Sequence, residues 1–74
     1  MTPRQCEVAR NLVGLNRVGL GRRAGLKAEA VARFEGGGLL PLVSQDRLRR
    51  ALEQAGVEFT NGNAPGIKLR QAAP

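Results

Sequence analysis

Apolar residues recur at spacings of three and four up to Gly56, and at a spacing of two after it. The first stripe is Cys6, Ala9, Leu12 and Val13, stopped by Gly14. Its start is marked by Thr2-Pro3, a hydroxyl cap followed by a proline where no N–H is needed. Gln5, three residues after Thr2, completes a capping box. Asn16 is placed to cap a second helix, Arg17–Ala24, closed by Gly25. Two glycines inside it, Gly19 and Gly21, each cost roughly 1 kcal/mol relative to Ala, so they point to close packing or a marginal helix. A third helix is predicted over Ala28–Glu35, with Val31 and Phe34 on one face and Gly36-Gly37-Gly38 as its stop. Ser44 is expected to cap a fourth, whose stripe is Leu48, Ala51, Leu52 and Ala55 before Gly56.

Beyond Gly56, Val57-Glu58-Phe59 and Ile67-Lys68-Leu69-Arg70 alternate apolar and polar around a stretch rich in turn residues, Thr60 to Gly66. A β-hairpin is predicted, with Val57, Phe59, Ile67 and Leu69 facing the helices and Glu58 opposite Lys68 outside. An isolated two-stranded hairpin leaves open edges. Two readings follow: these four residues serve dimerisation with a second copy, or the hairpin packs on its own helices. The whole predicts a mainly α protein of four short helices and a C-terminal β-hairpin. Residues 1–56 form the helical domain, 57–70 the hairpin and 71–74 a frayed tail.

Composition narrows the function. The 74 residues carry 12 Lys+Arg, ten of them Arg, against 6 Asp+Glu, for a net charge of +6. There is no His, Trp or Tyr and one Cys. Without His there is no Ser-His-Asp or Cys-His system and no His-containing zinc site, so the expectation is a non-enzyme with no cofactor or metal. One thiol closes no intrachain disulfide, which suits a reducing compartment. Cys6 falls on the apolar stripe and reads as packing. Apolar runs such as Leu39-Leu40-Pro41-Leu42-Val43 fall far short of the about 20 residues a membrane span needs. A soluble, cytoplasmic protein is expected, with no membrane partner. Arginine's planar fork suits phosphate and guanine better than lysine does. The charge therefore points towards polyanions, although an Arg-rich surface is also compatible with a merely solvated face.

The segment Leu15–Glu35, two short helices about a turn containing Ala24-Gly25-Leu26, has the spacing of a helix-turn-helix. Gly25 permits a left-handed turn, and Gly21 lets the helices approach. Leu20, Ala24, Val31 and Phe34 would fill the wedge between them. The string Gly14-Leu15-Asn16-Arg17-x-x-Leu20-Gly21-x-x-Ala24-Gly25, followed by Val31-x-x-Phe34-Glu35-x-Gly37, resembles the phage-repressor-like (Xre-type) helix-turn-helix regulators. The resemblance covers Thr2 to about Ala55, and the closing hairpin looks like a small bacterial subgroup. It implies a lambda-repressor-like domain, with the helix-turn-helix at 16–36 and a recognition helix at about 28–35.

The resemblance also implies roles. Arg10 and Glu35 match a partly buried salt bridge between the first and third helices. Asn16 matches a cap that sits against a DNA phosphate, and helix N-termini do bind anions. Arg17 stands where the family has a Gln at the edge of the major groove. Arg17, Ala28, Glu29 and Arg33 become candidates for base edges, and Asn16, Arg22, Arg23 and Lys27 for the backbone. Glu29 can accept from cytosine or simply repel phosphates.

Two departures matter. Ala28 and Ala30 replace hydrogen-bonding residues, and Leu39, Leu40 and Leu42 replace basic ones, serving either as core or as a protein interface. The expected function is a sequence-specific transcriptional regulator acting on double-stranded DNA. It would be a homodimer on an inverted-repeat operator, nucleoid-associated, with control of a mobile element suggested by analogy alone. The alternative is the same fold recast to bind another regulatory protein, as an antiactivator or antitoxin-like partner that does not read DNA.

Overall fold

A computed structural model describes residues 1–60 and 66–69. The protein is mainly helical, with α1 Pro3–Leu12, α2 Arg17–Ala24, α3 Ala28–Glu35 and α4 Leu42–Gln54, then strands β1 Val57–Thr60 and β2 Gly66–Leu69. The strands pair antiparallel, with Val57 opposite Leu69, Glu58 opposite Lys68 and Phe59 opposite Ile67. The segment 61–65, Arg70, the tail 71–74 and the packing of Leu69 lie outside the described residues. No described helix is long and apolar enough to cross a membrane.

Local chemistry explains the helix ends. Thr2 Oγ1 accepts from the Gln5 amide at 3.1 Å, and the Thr2 amide donates back to Gln5 Oε1 at 2.8 Å. Both orphan donors are thereby satisfied. Asn16 Oδ1 accepts from the Gly19 amide at 2.7 Å and starts α2. That helix closes at Gly25, whose φ of 72° lies in the left-handed region where a Cβ is strained. Replacing Asn16 by Ala should cost about 1 kcal/mol of stability, and Asn16→Asp should retain most of it, as read by urea unfolding.

The core is built from every helix and from β1. Cys6 and Ala9 of α1 meet Leu20 and Ala24 of α2, Val31 and Phe34 of α3, and Leu48, Ala51 and Leu52 of α4, with Val57 closing one side. These are the apolar positions that the helical periodicity selects, with two corrections: Leu12, the last residue of α1, is 46% exposed, and Ala55 is the half-buried cap after α4 rather than part of its core stripe. Val57 is fully buried, and Phe59 and Ile67 pack partly against the same core. Strand β1 lies along α4 and β2 along α1, so the strand pair is seated on its own helices. The Arg49 guanidinium stands 6.0 Å from the centre of the Phe59 ring and adds a weak tie between α4 and β1.

The start of α4 differs from expectation. Pro41, not Ser44, holds the cap position, and its carbonyl accepts from the Ser44 and Gln45 amides at 2.9 and 3.0 Å. Proline's fixed φ sets the entry without a side-chain cap, which leaves Ser44 inside the first turn. Gln45 Nε2 also donates to the Leu40 carbonyl at 2.8 Å and fastens the preceding loop. Within 39–43, Leu40 packs against the core, whereas Leu39, Leu42 and Val43 face solvent.

Candidate nucleic-acid interface

The α2–turn–α3 unit depends on a missing side chain. A Cβ on Gly21 would lie 2.6 Å from the Leu26 carbonyl oxygen and 3.3 Å from the Ala28 amide nitrogen. The Leu26 amide in turn donates to the Gly21 carbonyl at 2.7 Å. The turn therefore lies directly on α2 and fixes where α3 begins. Leu20, Ala24, Val31 and Phe34 fill the angle between the two helices, all of them buried.

A charged network anchors this unit to α1. Arg10 makes a paired contact with Glu35, Nε to Oε2 at 2.8 Å and Nη2 to Oε1 at 3.0 Å. Arg10 Nη1 also donates to the Leu15 carbonyl at 3.1 Å, which holds the α1–α2 loop. Arg17 Nε reaches Glu35 Oε1 at 3.3 Å. Glu35 is thus shared by two guanidiniums, its side chain 1% exposed. Burial acts to raise its carboxyl, but the hydrogen bond and charge of Arg10, with help from Arg17, hold it below the usual carboxylate range. The same hydrogen bond raises Arg10, against the opposing effect of burial. Cys6 Sγ lies 3.6 Å from Glu35 Oε2. Burial first, and then the neighbouring carboxylate, push this thiol up to about 12. At neutral pH it is a closed, un-ionised packing group.

The remaining candidates are exposed. Asn16 and Arg17 begin α2, Arg22 and Arg23 occupy its last turn, and Lys27 stands at the start of α3. Lys27, Glu29, Ala30, Arg33 and Leu40 line one open cleft of about 470 Å³ along α3. Ala28 is half-buried at the first position of that helix. Asn16 and Arg17 line a second cleft with Arg10 and Val18, so the structure divides the candidates between the two ends of α2.

Ion pairing separates the cations into two groups. Arg4 pairs with Glu7 within α1, and Arg49 with Glu53 and Arg50 with Asp46 within α4. Arg22, Arg23, Lys27 and Arg33 have no carboxylate within 4.0 Å among the described residues, and Arg47 is the only further described arginine in that state. Sequence reasoning placed Arg17 at base edges and missed its contact with Glu35, because the partners are 18 residues apart. No group of three His, Cys, Asp or Glu comes together among the described residues in a way that could hold a metal. The chain matches no protein-family model and no curated protein.

Proposed function

We propose that this protein binds duplex DNA as a transcriptional regulator. In this reading α2–turn–α3 acts as a lambda-repressor-like helix-turn-helix, and α3 enters the major groove. The observation that carries the reading is the segregation of charge. Four unpaired cations gather on the second half of α2, the turn and α3, while of the described arginines of α1 and α4 all but Arg47 are paired. Unpaired cations are the ones available to replace counterions on phosphates.

The roles follow from position. Arg22, Arg23 and Lys27 suit phosphates, as does the capped start of α2 at Asn16. Arg33, with the first-turn residues Ala28 and Glu29, faces base edges, Ala28 offering only contact with a thymine methyl. Arg17 is held to Glu35 through Nε alone, so its terminal nitrogens stay free to donate from an oriented stem. Side-chain readers on α3 are few, so a second copy on an inverted repeat would raise specificity by doubling them. Because Val57 is inside the core, such a dimer would join through the open strand edge rather than through that side chain.

Fluorescence anisotropy tests the reading, with the duplex upstream of the protein's own gene and a scrambled duplex over a salt series. The native duplex should bind at least about tenfold tighter, with log K falling linearly in log salt. Arg33→Ala should cost about 1–3 kcal/mol of specific binding, and Lys27→Ala should weaken both duplexes alike. Equal, weak binding to both duplexes would leave charge attraction alone and end the proposal.

A further inference from the structure

Leu39 is 92%, Leu42 81% and Val43 63% exposed, the largest exposures among the big aliphatic side chains of the described residues. Phosphates and sugars offer such groups nothing, so the DNA reading leaves them without a role. We propose that this face docks an acidic amphipathic helix of another protein, in competition with duplex DNA; the competition rests on the reading above, the docking does not.

Three observations fix the occupant. The backbone beneath it is tied down: Pro41 sets the start of α4, its carbonyl takes the Ser44 and Gln45 amides, and the Gln45 side chain holds the Leu40 carbonyl. An apolar surface already held in shape loses little conformational freedom on docking. The border is net basic: Arg47 lies one turn after Val43 on α4 and Arg33 borders the loop, while Asp46, one turn after Leu42, is neutralised by Arg50 at 2.9 Å. A Cβ on Gly38 would meet Arg33 Cγ at 2.6 Å, so the arginine stem rests on the backbone next to Leu39. Neither Arg33 nor Arg47 has a carboxylate partner among the described residues, and the complement of such a border is acidic. A second copy of this chain fits badly, because each copy would bring the same unpaired Arg33 and Arg47 to the shared border, cation facing cation on molecules of charge +6.

The partner's leucines would cover Leu39, Leu42 and Val43 at helical spacing, and its carboxylates would take Arg33 and Arg47. Arg33 also lines the cleft of α3 that is proposed to face DNA. One guanidinium cannot serve both, so partner and duplex oppose each other.

The probe is a fluorescein-labelled 18-residue acidic peptide with leucines at i, i+3, i+4 and i+7, compared with a scramble of the same composition. Wild-type protein should bind the ordered peptide at least about tenfold tighter than the scramble. The Leu39→Ser/Leu42→Ser variant, whose charge is unchanged, should lose that preference, keep its helical circular dichroism and bind DNA as wild type does. The unlabelled ordered peptide should displace duplex DNA from the wild type but not from the variant. Equal binding of the two peptides, or a variant that still prefers the ordered one, overturns the proposal. So does sedimentation showing a wild-type dimer that the variant dissociates, since a second copy would then be the occupant. Peptide binding is measured without DNA, so failure to bind any duplex ends the DNA reading and leaves the docking result standing.

Discussion

Glu35→Ala should lower the stability of this protein by about 3–5 kcal/mol, the largest loss expected from any single polar side chain. The reason is what the substitution leaves behind. Arg10 is 11% exposed and makes its paired contact only with Glu35, so removing the carboxylate strands a nearly buried guanidinium. Arg17 loses its partner as well, but half of its side chain is in water and that loss is small. Urea unfolding of the wild type, Glu35→Ala, and Arg10→Met/Glu35→Leu separates the stranded charge from the net value of the pair. The double variant should regain most of the loss, because an apolar pair of similar volume often equals or exceeds a buried ion pair. A loss below about 1 kcal/mol in Glu35→Ala would contradict the buried geometry.

The sign with pH follows from the same contact. The Glu35 carboxyl lies lower in the folded protein than in the unfolded chain, so its stabilisation is present above the unfolded pKa. It is lost as pH falls through the folded pKa. Wild-type stability should therefore decline as pH drops below about 5, and Glu35→Gln should flatten that decline.

Gly21→Val should cost about 3 kcal/mol or more, and under the proposed function it should also damage DNA binding in whatever folded protein remains. All three atoms nearest to the added Cβ belong to the backbone of Leu26, Lys27 and Ala28. They cannot rotate away, and moving them breaks the Leu26–Gly21 hydrogen bond that places α3. Gly19→Ala provides the contrast. Its Cβ would meet Asn16 Oδ1 at 3.2 Å and Leu15 Cδ2 at 3.4 Å, both side-chain atoms with some freedom to shift. The roughly 1 kcal/mol gain in helix propensity offsets that crowding, so the variant should lie near the wild type in urea. A Gly21→Val midpoint equal to wild type would mean that the close approach does not limit this residue.

That contrast shows where the sequence stops being readable. Both glycines look alike in a string, because propensity is a local quantity, and only the chain lying over Gly21 tells them apart. Caps are local too, which is why Thr2, Asn16 and Gly25 give the bounds of the first two helices and the start of the turn between α2 and α3. Pro41 carries no side-chain cap signal, and Ser44 three residues on mimics one, so the start of α4 was misplaced. In 39–43 an unbroken apolar run suggests either core or interface. The division between Leu40 inside and Leu39, Leu42 and Val43 outside depends on the Gln45 clamp, which composition does not reveal. Pairing through space was the least legible feature of the candidate site. Arg10 and Glu35 stand 25 residues apart and were linked only by a family resemblance, while Arg17 was assigned to DNA without its share of Glu35.

The seat of Val57 bears on the order in which the protein is made. Leu48 and Leu52 of α4 belong to the same fully buried cluster as Val57, so a nascent chain that ends at Gly56 carries four helices around an unroofed hollow. Synthesis runs from the N-terminus, and a chain halted there holds exposed aliphatic surface of the sort that chaperones and proteases recognise. The strand pair β1–β2 is thus the last part of the described fold to be made, and it closes the core through Val57 and Ile67.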